Sequence, residues 1–177
     1  MVQAHGFSES VAAATASLVF LGWAIGSVSA GWLSDAIGRR RPVLLWGTTA
    51  CAAGFAALIY LPNPSHALLC ALCLLTGFGG STMALTFALV RDGNPGAHAA
   101  AAMGVVNTCV VGSGAVMQPL IGAMLEWLWD GQSSDGVPVF SSTDYRMAFS
   151  SLLVLLAVAW LTSWSVRERA ALQPQQP

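Results

Sequence analysis

Charge is what this sequence has least of. Only 8% of its 177 residues are charged, against about 25% in soluble domains. Lysine is absent, and all seven basic residues are arginines. The scarcity excludes a soluble domain with solvated faces. With a net charge of −1 and no basic patch, it also excludes nucleic acid as a partner. Strand-like alternation is missing too, which excludes a membrane β-barrel. No cleavable signal peptide is expected, because the first ten residues lack a basic run and lead into a full-length apolar stretch. No Asp, Glu, Lys, Arg or His lies deep in an apolar stretch. The usual markers of proton relays are therefore lacking. The Ser, Thr and Cys residues there have no base to activate them, which argues against an enzyme. No cofactor is expected.

What is present is apolar length. Hydrophobic residues make up 55% of the chain, mean hydropathy is +0.66, and the composition is that of a membrane protein. Residues 11–33, 43–61, 67–90, 99–125 and 147–166 contain no Asp, Glu, Lys or Arg. A helix needs about 20 residues to cross a hydrocarbon core, and backbone groups in lipid must be bonded within their own segment. The expectation is an all-α integral membrane protein with five spanning helices, at about 11–34, 43–61, 67–90, 99–128 and 146–166. A short polar leader over 1–10 precedes them, and a disordered tail over 169–177 follows.

The spans carry their own punctuation. Gly22, Gly26 and Ala30 form a row of small residues at four-residue spacing, which lets two helix backbones approach closely in lipid. Pro42 suits the opening of the second helix, and Pro62-Asn63-Pro64 marks the turn that ends it. Thr76 to Thr82 is Gly-rich, implying a flexible or closely packed point mid-span. Pro119 predicts a kink in the fourth helix. Asp130-Gly131 and Asp135-Gly136 are turn signals in the one sizeable loop, residues 129–144. That loop lacks the ligand spacing of a calcium loop. Cys70 and Cys73 form a C-x-x-C inside an apolar helix without further ligands, so small buried hydrophobes account for them better than a metal or redox site.

Between the first two spans, Gly31 to Arg41 reads G-W-L-S-D-A-I-G-R-R-R. Five helices place the two termini on opposite sides. The arginine-rich loop, Arg91, Arg167 and Arg169 then fall on one face, leaving Arg146 on the other. Six of seven arginines on one side predicts that this side is cytoplasmic and that the N-terminus lies outside. Trp127, Trp129 and Tyr145 suit the outer interface. Asp35 sits at a helix C-terminus, where the dipole disfavours a carboxylate. It is expected to have a partner: a nearby arginine or the N-terminus of another helix. Gly38 permits the backbone reversal.

Gly31-x-x-x-Asp35-x-x-Gly38-Arg39-Arg40-Arg41 resembles the signature loop of the major facilitator superfamily of secondary transporters, at every defining position. Asn94-Pro95 with Ala101, Gly104 and Asn107, and Gly112-Ser113-Gly114 with Gln118 to Gly122, look like the fourth-to-fifth loop and fifth helix of a repeat in the C-terminal half. The resemblance covers residues 7–168. It implies five helices of a major-facilitator-type six-helix repeat, similar to helices eight to twelve of a twelve-helix transporter. It also implies alternating-access movement of a small solute, in a bacterial inner membrane. The partners it implies are the solute, the lipid bilayer, and a missing N-terminal half or a second copy. A transport-inactive fragment or partner-dependent subunit is the alternative.

By resemblance, Gly31, Asp35, Gly38 and Arg39 to Arg41 would gate conformational change. The first, third and fourth helices would line the cavity, with Trp23, Thr76, Thr82, Asn107 and Gln118 as candidate lining residues. Asn107 and Gln118 are eleven residues apart, about three turns, and so share a face. An interhelical hydrogen bond is their simpler role, and the threonines can bond their own helix backbone. Glu126 reads as an interfacial carboxylate and His98 as a solvated helix start. In a cysteine-free background, a cysteine at Ser133 should react with impermeant reagent from outside and one at Gln173 only from inside. The reverse pattern would refute the arginine argument.

Overall fold

The computed structural model describes residues 7–94, 96, 98–134 and 136–166. The predicted tail over 169–177 lies outside them, as do most of the leader and Asp135. Six α-helices form five candidate membrane spans: α1 (Glu9–Ile37), α2 (Arg41–Tyr60), α3 (His66–Gly80) continuing into α4 (Ala84–Gly93), α5 (His98–Leu128) and α6 (Ser142–Trp164). The chain is an all-α integral membrane protein. The helices run past the charge-free stretches that suggested them, because capping residues, not the last apolar residue, decide where a helix ends.

Three helices start on serine caps that satisfy backbone N–H groups the helix itself cannot. Ser8 Oγ accepts from Val11, Ser65 Oγ from Leu68, and Ser141 Oγ from Asp144. Asp144 returns the favour to the Ser141 N–H at 2.8 Å, completing a capping box. The residue at the end of α1, Gly38, has φ +69°, and its N–H bonds the Asp35 carbonyl. That left-handed conformation is cheap only for glycine. Pro42 lies in the first turn of α2. The α5 helix is unbroken across Pro119. In the loop before α6, Ser133–Ser134 and Val137–Pro138 pair as a short antiparallel ribbon, with Gly131 and Gly136 at positive φ.

The third span organises the bundle. α3 packs against α1 on one side and α2 on the other; α2 continues to α6, and α5 touches α4 and, more lightly, α6. Both α3 contacts run through glycine. A Cβ on Gly77 would overlap the Val19 carbonyl oxygen, and one on Gly22 the Leu74 carbonyl oxygen. On the other side, a Cβ on Gly79 would lie 2.5 Å from the Cys51 nitrogen. Gly22 and Gly26 are therefore the α1 face of a backbone-to-backbone contact, as small residues in lipid allow, while Ala30, next in the row, packs with Val43 and Leu85. The Gly-rich centre is tightly packed. It also departs from α geometry: Ser81–Met83 is a 3₁₀ turn. Ser81 Oγ and Thr82 Oγ1 donate to the Phe78 and Gly79 carbonyls at 2.6 and 2.8 Å.

Side chains pin the ends. At the start of α3, Thr15 Oγ1 on α1 lies 3.0 Å from His66 Nε2 and donates to the Val11 carbonyl. With the hydroxyl proton so used, the imidazole N–H is the donor of the pair. Arg146 Nε donates to the Ile59 carbonyl at 3.1 Å. A cation thus meets the C-terminus of α2, where the helix dipole favours it. Gly77→Val should force α1 and α3 apart and destabilise the fold by about 1–3 kcal/mol or more, whereas Gly104→Ala, facing open space, should be neutral or slightly stabilising. Unfolding in detergent micelles, followed by circular dichroism, checks both.

Candidate functional site

The candidate site is the loop between α1 and α2 together with the end of α4. Its centre is Arg40, whose side chain is only 17% exposed. Three oxygens surround its guanidinium. Nε donates to Asp92 Oδ2 at 3.0 Å, and Nη1 to Ser34 Oγ at 3.3 Å and Asp35 Oδ1 at 3.4 Å. Ser34 is buried and donates its own proton to the Gly31 carbonyl at 2.9 Å. Asp35 and Asp92 both lie in the last turn of a helix, α1 and α4 respectively. Each carboxylate is misplaced with respect to its own helix dipole. One guanidinium, with five N–H donors in a rigid fork, compensates both and ties the two helix ends together.

The two ion pairs are unequal. Asp35 is 68% exposed, so its pair is weakened by water and worth ~0–1 kcal/mol. Asp92 is 34% exposed, sits closer, and faces the same largely buried guanidinium. A charge-assisted bond at such a partly exposed site contributes about 1–2 kcal/mol. Arg91 lies 3.5 Å from the other oxygen of Asp92 and is 60% exposed. Beneath the loop, Ala30, Val43 and Leu85 form a small buried cluster with Leu33 against it. The charged contact therefore rests on apolar packing from three helices.

The partner expected for Asp35 is Arg40. Sequence reasoning overlooked Asp92 and Ser34. The available signal was a lone carboxylate at the end of the third apolar stretch, on the same predicted face as the arginine loop. Gly38 makes the reversal that aims Arg40 back at α1. A Cβ on Gly31 would meet nothing within 4 Å. Arg41 lies over the Trp164 ring, 4.9 Å from its centroid, and Arg39 is exposed.

The five candidate lining residues are not brought together. Thr82 is buried and fills the notch left by Gly47 of α2. Thr76 donates to the Leu72 carbonyl at 2.7 Å and lies against Gly54 of α2. Both threonines thus occupy the α2–α3 contact and spend their protons on their own helix. Trp23 packs beside Gly80 and stays 37% exposed. Asn107 and Gln118 are exposed on α5, with no hydrogen bond to another described residue. No cluster of three or more His, Cys, Asp or Glu that could hold a metal occurs among the described residues.

A double-mutant cycle should rank the two bridges. Arg40→Gln with Asp92→Asn should show coupling of about 1–2 kcal/mol in chemical unfolding, and Arg40→Gln with Asp35→Asn less than ~1 kcal/mol. Equal or reversed couplings would displace Asp92 as the main partner.

A search of curated proteins and of solved structures finds no match to this chain. A family model described as Major Facilitator Superfamily matches residues 1–177. Five spans, an arginine loop between the first two and a match over the full sequence agree, and the chain belongs to the major facilitator superfamily of transporters.

Proposed function

We propose that this chain moves a small solute across the bacterial inner membrane by alternating access, as the C-terminal part of a secondary transporter. Arg40 is the latch at its cytoplasmic face. The observation that carries the reading is the Arg40 bridge to Asp92 and Asp35. It joins helix ends that must separate if that face opens, and it costs little to break because all three groups reach water. A contact worth ~1 kcal/mol biases two conformers about fivefold, enough to set a resting state without locking it. The arginine distribution supports an outside N-terminus and a cytoplasmic arginine loop.

The solute path is assigned to the exposed face of α5 that carries Asn107 and Gln118. Amides facing lipid are costly, and among the described residues no helix covers them. A water-filled path or the helices of a complementary half would relieve that cost. Trp23 is a third candidate on α1. Gly31, Asp35, Gly38, Arg39 and Arg41 complete the gating loop around Arg40.

Reconstituted alone in liposomes, the chain should give no saturable flux of any solute in a broad labelled panel. Made together with the seven further helices that a twelve-helix transporter would have, it should transport. In that assembly, Arg40→Gln should change the ratio of inward- to outward-open conformers about fivefold, read by accessibility of single cysteines at the exposed Ala36 and Val116 positions. Saturable flux from the chain alone would refute the need for a partner. Unchanged conformer ratios in Arg40→Gln and Asp35→Asn would refute the latch.

A further inference from the structure

We propose that the cleft between the first turns of α2 and the last turns of α6 binds the headgroup of an anionic phospholipid. The cleft has a volume of about 440 Å³, within the usual range for a small-ligand site. Its mouth carries Arg39 and Arg41; its walls carry Trp46 and Thr49 from α2 and Trp160 and Trp164 from α6. The gating bridge uses Arg40, on the other side of the loop, so the two features share a backbone but not a guanidinium.

The vertical order of these residues matches the order of groups in a lipid. Arg39 and Arg41 stand at the helix end. Thr49 lies eight residues further along α2, ~12 Å deeper at 1.5 Å per residue. Cations at the helix end and indoles further along follow phosphate and glycerol, and the apolar flank outside the cleft would meet the acyl chains. The α2 N-terminus lies at the mouth with no side-chain cap on it, and its amide dipoles add positive potential there. Each guanidinium has five N–H donors, so it can keep a protein contact and still hold a phosphate oxygen.

The cleft is built. Trp160 Nε1 donates to Thr49 Oγ1 at 3.0 Å, and Thr49 donates in turn to the Leu45 carbonyl at 2.8 Å. Trp160 and Trp164 meet edge to face with centroids 5.6 Å apart. Arg41 is held over Trp164. The two walls are therefore fixed across the α2–α6 contact before any ligand arrives, which lowers the ordering cost of binding.

A lipid, not a soluble anion, fits because the cleft opens on the apolar flank of the two spans. Trp46 and Trp164 are 64% and 52% exposed there, next to Val158 at 50% and Leu161 at 61%. Acyl chains would cover that flank while the headgroup reaches the arginines. Two guanidinium groups at one cleft favour a net negative headgroup over a zwitterionic one.

The test uses the full chain in nanodiscs of mixed phosphatidylglycerol and phosphatidylcholine, followed by native mass spectrometry of the lipid retained on release. Wild type should retain phosphatidylglycerol preferentially. Arg39→Gln with Arg41→Gln should reduce that preference about tenfold or more. Trp46→Ala, at the exposed rim, should weaken it severalfold while leaving the circular dichroism spectrum unchanged. Arg91→Gln, at the same end of the bundle but away from the cleft, should retain it. The proposal fails if the double arginine variant keeps its preference, or if Arg91→Gln loses as much, which would indicate general surface charge. It also fails if inorganic phosphate displaces the lipid as well as phosphatidylglycerol does, or if the chain emerges as a dimer that carries no lipid. None of these readouts depends on transport, so the result stands apart from the transport assignment.

Discussion

The bundle depends on one constraint, which is that the third span places glycine where its backbone meets the backbones of both neighbours. Lipid supplies no hydrophobic force between apolar helices, so association rests on close packing and a few polar contacts. Gly77 meets the backbone of α1, and Gly79 that of α2. Gly22 and Gly47 answer from the other helices. Two backbones in contact gain dispersion along the whole seam, each atom pair contributing little and the row contributing much. The α1–α3 seam is fastened at one end by Thr15 and His66 and at its middle by Ser81 against Gly26.

The charged loop is fastened to that seam and works by a different principle. Asp35 and Asp92 are each unfavourable at their own helix C-terminus. Arg40 converts two local costs into one contact between α1 and α4. Because the group is at the membrane surface, water screens it and keeps the contact weak enough to break. A buried version would be costly to form and slow to open. A dry glycine seam and a wet ion bridge thus hold the same helices by different means.

The fourth and fifth spans differ in kind from this core. α5 has no buried residue, and its glycines face open space. α6 is held to α2 by side chains: the Phe55–Phe149 edge-to-face pair, Trp160 on Thr49 and Arg146 on the Ile59 carbonyl. Arg146 shows how a charge outside the majority face can have a local structural reason. It serves a helix terminus that no acidic or basic neighbour in sequence would suggest.

The sequence by itself determined the class of protein and its segmentation. Charge-free runs of spanning length allow only helices in lipid, because the backbone has no other partner there. It also marked the charged loop as the candidate site, since Gly31, Asp35, Gly38 and the three arginines carry their chemistry in their spacing. The small-residue row of α1 was legible for the same reason, although its partner was not. Only the tertiary structure decided the pairings. Asp92 lies 52 residues from Arg40, and periodicity within one helix is silent on which other helix it faces. Thr76 and Thr82 looked like polar lining, but the notches at Gly54 and Gly47 draw them into the α2 contact. A polar residue in a span states a need for a partner. Which helix meets it is set by the shape of its neighbours, and shape is a property of the packed bundle.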